Sequence, residues 1–157
     1  ERIAWLKNLQ AALIIINSVV IPLNQVNEDF VRINGWNTFL KRPVVEASII
    51  NTSLQAQAEQ ILSHLGRTIE WTPDIAGFIT ARVVASIINE AFFALEEKVS
   101  TKEEIDTAMR LGTNYPYGPF EWGKKIGLRN IYSLLAILSG EKNRYTPSLL
   151  LKQTALA

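Results

Sequence analysis

The chain has no cysteine among its 157 residues, and it has only one histidine and eight glycines. The absence of cysteine excludes a disulfide framework and a thiolate metal site, and it fits a cytoplasmic protein. The glycines form neither G-x-G-x-x-G nor G-x-x-x-x-G-K-[ST], so no phosphate-binding loop is present. His64 lies on a predicted helix without a second histidine or a carboxylate at ligand spacing. It is a surface or structural histidine or, as the alternative, a metal ligand or a base.

Neither sign of charge dominates, because the formal net charge is +1 and 20% of the residues are charged. This balance predicts no general attraction to nucleic acid or to an anionic membrane. The apolar run AALIII at 11–16 is too short to span a bilayer, and Asn17 and Pro22 interrupt its continuation. The chain begins with ERIAWL, without methionine, which we interpret as a fragment or a processed product.

The first half of the chain has the pattern of an α/β sheet. A short amphipathic helix is predicted at 2–9, and a longer one over 53–65. Thr52 or Ser53 is the predicted cap of the longer helix, and Gly66 follows its end. Apolar, β-branched runs predict four strands, the first of them a buried strand of a parallel sheet. These strands are expected at 12–19, 30–35, 42–49 and 67–72.

From Pro73 onward the pattern contains helices and no convincing strand, so we place the domain boundary between Thr72 and Pro73. A long helix predicted over 74–99 is apolar on most faces, which is typical of a helix buried against a partner. Its successor over 102–112 has Ser100 or Thr101 as the cap and Gly112 at its end. Two more helices are predicted, at 128–140 and after Pro147.

Two features remain open on sequence alone. Residues 114–123 read NYPYGPFEWG, a poor helix and a poor strand because of its prolines and glycines. Its aromatic side chains form either a ligand box or core and interface packing. Glu46 interrupts an apolar strand, so its carboxylate lies on an exposed face or is held at a site.

The segments GFITARVVASIINEAFFALEE, IDTAMRLGTNYPYGPFEWGKKIGL and YTPSLLLKQ together resemble the C-terminal domain of the 3-hydroxyacyl-CoA dehydrogenases over about residues 73–153. Upstream, IIINSVVIPL is similar to a late Rossmann strand of that family, and NGWNTFLKRPVVE to its catalytic segment. The resemblance implies a mixed fold. Residues 1–72 would be the partial second half of a Rossmann-type NAD-binding domain, and residues 73–157 an all-helical dimerisation domain. It also implies a homodimer through 73–157, and acyl-CoA as a possible ligand.

The resemblance implies a catalytic site as well. The family uses a histidine as general base, a glutamate that orients it, and a serine and an asparagine that bind the substrate oxygen. Glu46 retains the glutamate position. The histidine, serine and asparagine positions hold Asn34, Val19 and Ala81, respectively. An amide does not accept a proton near pH 7, and alanine donates no hydrogen bond.

We therefore predict a 3-hydroxyacyl-CoA dehydrogenase-like protein of fatty-acid or related acyl-CoA metabolism, of which this chain is by itself inactive. NAD is the cofactor of the family, but we expect none bound to this chain, because the resemblance places the glycine-rich turn before Glu1. The alternative function is that of a non-catalytic acyl-CoA-binding or structural dimer derived from the family.

Overall fold

The computed structural model describes residues 11–157, so the helix predicted at 2–9 lies outside the described residues. The chain divides into two compact units, of which the first ends at Ala81 and the second spans residues 82–157. This division comes later in the chain than the domain boundary predicted after Thr72. The reason is that Asp74 and Thr80 hydrogen-bond to residues of the first unit.

Four strands form one mixed sheet in the order β1-β2-β3-β4. They are β1 (Ile15–Asn17), β2 (Val31–Ile33), β3 (Val44–Ile49) and β4 (Thr68–Trp71). β1 is parallel to β2 and β3 to β4, whereas β2 and β3 are antiparallel. All four predicted strands are present, and β1 pairs in parallel with β2. The sheet is mixed, however, and β1 is short and only partly buried, which corrects the expectation of a buried strand in a parallel sheet. It ends early because the chain turns at Ser18, whose hydroxyl donates to the Ile21 carbonyl at 2.8 Å.

The two faces of the sheet bury different side chains. Val31 and Ala47 form one cluster with Ala58 of α1 (Gln55–His64). Because side chains alternate along a strand, Arg32 lies on the face opposite α1. Asn51, not Thr52 or Ser53, caps the turn that precedes α1, through a 3.2 Å hydrogen bond from the Ser53 N–H. Gly66 follows this helix with φ 67°, as predicted.

Helices make up the regular structure described for residues 82–157. The predicted long helix is shorter than 74–99, because Gly77 and Phe78 have φ values of 87° and 49°. Those left-handed angles do not occur inside a right-handed helix. The helices are α2 (Thr80–Glu96), α3 (Lys102–Thr113), α4 (Pro119–Ile126), α5 (Leu128–Glu141) and α6 (Leu149–Leu156).

The segment 114–123 contains the start of a helix, contrary to the sequence prediction. α4 begins at Pro119, where the missing N–H of proline costs nothing. The carboxylate of Asp106 accepts the next two N–H groups, from Phe120 at 2.7 Å and Glu121 at 3.0 Å. A Cβ atom at Gly118 would lie 2.3 Å from the Asp106 Cγ, so this close approach requires glycine.

The aromatic rings of the same segment pack on one another. The buried Trp122 meets Tyr115 and Tyr117 edge-on, at centroid distances of 6.1 and 6.0 Å. Phe120 packs on Phe92 of α2 at 5.1 Å. Edge-to-face and tilted pairs at these distances are favourable aromatic contacts. They support the packing interpretation of this segment over a ligand box.

Candidate functional site

The carboxylate of Glu46 is surrounded by hydrogen-bond donors. Its Oε1 accepts the N–H groups of Ile79 at 3.1 Å and Thr80 at 2.9 Å. Its Oε2 accepts the Asn34 amide at 2.8 Å and the Thr80 hydroxyl at 2.5 Å. A carboxylate offers about four acceptor positions, so these four donors occupy all of them. Glu46 is therefore held in place and does not lie on a solvated strand face.

Asn34 is 2% exposed and lies beside Glu46. Its N–H donates to the Glu46 carbonyl at 3.0 Å, which continues the antiparallel pairing of β2 and β3 by one residue. Its side-chain NH2 donates to Glu46 and also to the Thr80 hydroxyl at 3.0 Å. Its Oδ1 accepts the Trp36 N–H at 3.4 Å. The amide positions its neighbours but cannot transfer a proton near pH 7.

Of the two N–H groups that Glu46 accepts, that of Thr80 is the first of α2, and that of Ile79 immediately precedes the helix. The first N–H groups of a helix have no partner within the helix, and the helix dipole favours a negative charge there. Glu46 therefore acts as a cap for α2 that is supplied by a strand. The sequence offered no signal for Thr80, which bridges Asn34 and Glu46 through its hydroxyl.

The other two predicted site residues do not join this network. The Val19 side chain is buried, and its carbonyl accepts the Gly77 N–H at 2.7 Å. The Ala81 methyl group is also buried. A cavity of about 270 Å³ opens beside Glu46, and neither residue lines it. Its lining consists of Asn34, Phe39, Arg42, Val44, Val45, Glu46, Glu70, Ile79 and Thr80.

A buried ion pair, which the sequence analysis missed, lies on the same face of the sheet. Arg32 is 0% exposed, and its Nε lies 2.9 Å from the Asp74 carboxylate. Burial lowers the pKa of Arg32, and the negative charge of Asp74 opposes that shift. The guanidinium also donates to the Ser18 and Ile75 carbonyls, at 3.1 and 2.9 Å. It lies 4.3 Å from the centre of the Phe78 ring.

This pair fixes the segment that leads into α2. The second oxygen of Asp74 accepts the Leu23 N–H at 2.7 Å. Arg32 and Asp74 therefore connect β2, the turn after β1 and the residues just before Gly77. The available sequence signal was a charged residue inside the apolar strand FVRING, which is unusual unless the charge is paired.

Residues 11–157 contain no group of three or more histidine, cysteine, aspartate or glutamate side chains that could hold a metal ion. His64 is exposed, and its Nδ1 lies 2.7 Å from the Gln60 carbonyl oxygen. This placement is that of a surface histidine, the first of the two interpretations given above. Over the same described residues, every helix is too short or too polar to cross a membrane.

Residues 77–157 match the family model for the 3-hydroxyacyl-CoA dehydrogenase C-terminal domain. Over 116 residues the chain is 43% identical to the 3-hydroxyadipyl-CoA dehydrogenase of Escherichia coli (strain K12), covering 72% of this chain and 24% of that protein. The crystal structure of 3-hydroxybutyryl-CoA dehydrogenase from Escherichia coli K12 superposes with a TM-score of 0.79 and 34% identity. That superposition covers 90% of this chain and 31% of the other.

A second solved structure, (S)-3-hydroxybutyryl-CoA dehydrogenase PaaH1 from Ralstonia eutropha, has a TM-score of 0.77 at 26% identity. It matches 90% of this chain, which covers 54% of that protein. The chain thus spans about a quarter to a half of the length of these relatives. Since the matched family model covers more than half of the chain, the chain belongs to the 3-hydroxyacyl-CoA dehydrogenase family.

Proposed function

We propose that this chain is part of a cytoplasmic 3-hydroxyacyl-CoA dehydrogenase-like protein and does not by itself catalyse the oxidation. In this proposal residues 1–72 correspond to the second half of a Rossmann-type NAD-binding domain. Residues 73–157 correspond to the helical dimerisation domain. The relatives described above are named as dehydrogenases of 3-hydroxyadipyl-CoA and 3-hydroxybutyryl-CoA, and these names support the substrate class.

The saturated carboxylate of Glu46 is the observation that carries the proposal. A general base must accept a proton, but all four acceptor positions of Glu46 already hold donors. The neighbouring group is the Asn34 amide, and Ala81 and Val19 offer no side-chain donor to a substrate oxygen. Loss of a general base costs about 10²–10⁴-fold in rate, and loss of a positioned donor about 10²–10³-fold.

Neither helix start in the first unit fits the pyrophosphate of NAD. That group binds free N–H groups at a helix N-terminus behind a tight glycine turn. α1 begins after Asn51, Thr52 and Ser53, without a glycine. The start of α2 does follow Gly77, but the Glu46 carboxylate already accepts its N–H groups. A second anion at that helix start would meet this carboxylate.

The first prediction is that the purified chain consumes no NADH when it is mixed with acetoacetyl-CoA. NADH absorbance reports turnover, and NADH fluorescence reports binding, which we expect to be absent at micromolar concentrations. Protein-dependent loss of NADH would contradict the proposal. The double variant Asn34→His, Ala81→Asn should also show no turnover, because the cofactor still lacks its binding site. Activity in the double variant alone would overturn the cofactor argument and support the catalytic one.

A second candidate function is that of a structural or acyl-CoA-binding homodimer. Large apolar side chains of the second unit are exposed to solvent, and symmetric pairing is the commonest way to cover such a surface. An apolar cavity of about 230 Å³ lies between α2 and α3. It is lined by Ile87, Glu90, Ala91, Ala94, Ile105, Met109 and Pro119. The exposed side chains include Val83, Val99, Leu111, Ile137, Leu149 and Leu156.

For this candidate we predict a dimer mass in light scattering at micromolar concentration. Met109→Glu puts a charge into the apolar cavity and is expected to halve the mass, because an unpaired charge resists burial. Ser63→Glu is the control, since it adds the same charge to an exposed position of α1 in the first unit. A monomer mass for the unchanged chain would exclude the dimer. A dimer mass for Met109→Glu would show that the cavity between α2 and α3 is not part of the dimer interface. Calorimetric binding of acetoacetyl-CoA without turnover would favour the acyl-CoA-binding form.

A further inference from the structure

Two guanidinium groups converge on one tyrosine in the second unit. The Nη2 atom of Arg144 donates to the Tyr145 hydroxyl at 2.5 Å. The guanidinium carbons of Arg144 and Arg82 lie 4.6 and 5.9 Å from the centre of the Tyr145 ring. Tyr145 itself is only 6% exposed. Two positive charges therefore meet at a single, largely buried phenol.

The buried amide of Asn89 holds this arrangement in place. Its NH2 group donates to the Thr146 carbonyl at 2.9 Å, and its oxygen accepts the Ser148 N–H at 2.8 Å. These bonds fix the segment that carries Arg144 and Tyr145 against α2. Arg82 lies about two turns before Asn89 on the same helix. Arg82 is thus positioned by α2 itself, and Arg144 by the segment that is hydrogen-bonded to Asn89 of α2.

A cavity of about 410 Å³ opens over this cluster. Its size lies within the usual range of small-molecule sites. One part of the lining carries guanidinium and hydroxyl groups, another part is aliphatic, and none of the described lining residues is acidic. Guanidinium groups bind carboxylate and phosphate oxygens in a planar, two-pronged geometry. The lining residues are Arg82, Val83, Ser86, Ile87, Arg144 and Tyr145.

We propose that this pocket binds a small organic anion. Its carboxylate or phosphate group lies between Arg82, Arg144 and the Tyr145 hydroxyl, and its apolar part lies on Val83 and Ile87. A carboxylate and a phosphate both present negatively charged oxygens that guanidinium groups bind. No residue of the Glu46 network takes part, so this site is independent of the argument drawn from Glu46. Val83 and Ile87 also belong to the apolar surface and cavity described for the homodimer candidate.

The ionisation of Tyr145 reports whether the pocket is occupied. Burial acts to raise the pKa of this phenol, but the hydrogen bond from Arg144 and the charges of Arg144 and Arg82 outweigh burial and lower the pKa. A bound anion neutralises those charges. The pKa of Tyr145 should therefore rise when the anion binds, because the phenolate loses its stabilising cations.

The test is a titration of the full chain with ¹³C-labelled tyrosine, followed by NMR at the ring carbon that bears the hydroxyl. Tyr145→Phe identifies the resonance. Acetate, hexanoate, inorganic phosphate and hexyl phosphate are added in turn, with chloride as the screening control. We expect saturable shifts at Tyr145 and a higher Tyr145 pKa. Affinity should rise about fourfold for each methylene that becomes buried. Comparing the affinities of the carboxylates with those of the phosphates identifies the preferred head group.

Arg144→Gln and Arg82→Gln should each weaken binding about tenfold or more, since each removes a charged hydrogen-bond donor. Arg110→Gln is the matched control, because it removes the same charge from an exposed arginine of α3. We expect it to leave the affinity unchanged. Equal shifts with chloride, or equal losses in the control variant, would overturn the proposal. Arg144 is exposed, so Arg144→Gln remains decisive if circular dichroism shows that Arg82→Gln is unfolded.

Discussion

Replacing Asp74 by alanine is expected to lower the free energy of unfolding by about 3–5 kcal/mol. The change leaves the Arg32 charge, which is 0% exposed, without its counter-ion. It also removes the acceptor of the Leu23 N–H. Urea denaturation followed by circular dichroism measures the loss. A buried charge that loses its partner is one of the few single changes with so large an effect.

Two further variants separate the ion pair from a general effect of mutation. The double variant Arg32→Met, Asp74→Asn should be more stable than Asp74→Ala, because no unpaired charge remains in the interior. Asp29→Ala removes an exposed carboxylate that accepts one bond from Asn51 and should cost less than about 1 kcal/mol. If Asp74→Ala costs no more than Asp29→Ala, the pair does not support the fold.

Replacing Glu46 by alanine is expected to lower the free energy of unfolding by about 2–4 kcal/mol. The change leaves the N–H groups at the start of α2 without their cap. It also removes the main partner of the buried Asn34 amide. Glu46→Gln should cost less than Glu46→Ala, because the amide oxygen can still accept the N–H groups of Ile79 and Thr80. It should still lower the stability, because its NH2 group would face the NH2 donor of Asn34. Thermal and urea denaturation measure both losses.

Glu70→Ala is the control for this second prediction. Glu70 lies opposite Glu46 on β4, lines the same cavity and is exposed. Its removal should change the free energy of unfolding by no more than about 0.5 kcal/mol. A carboxylate kept for catalysis is often held at a cost to stability, so its removal would leave the fold unchanged or more stable. Equal stability of the two alanine variants would therefore contradict the capping role.

Local patterns of sequence predicted the existence of most elements. The four strands follow from β-branched runs, since such side chains suit a pleated surface wherever it lies. α3 begins at the capping box of Thr101 and Glu104, a signal contained within four residues. Family membership also followed from contiguous motifs. These features depend on neighbours along the chain, and that is why they could be identified without a structure.

Element boundaries were less accessible, because distant residues set them. α4 begins inside a proline- and glycine-rich segment because Asp106, which lies in α3, accepts its first N–H groups. α3 itself continues past Gly112, and Asn114 takes the left-handed conformation with φ 56°. The start of α2 is likewise set by the turn at Gly77 and by a carboxylate from β3. The helix propensities of the residues within α2 and α4 contain no information about distant partners such as Glu46 and Asp106.

The sequence by itself determined the family of this protein, its strands and most of its helices, and the absence of cysteine and of a glycine-rich phosphate loop. Only the tertiary structure decided the role of Glu46. The antiparallel pairing of β2 and β3 places it beside Asn34, and the turn before α2 brings Thr80 to the same carboxylate. Arg32 and Asp74 were brought together in the same way. Hydrogen bonds between residues far apart in the chain leave no periodic pattern, so only folding reveals them.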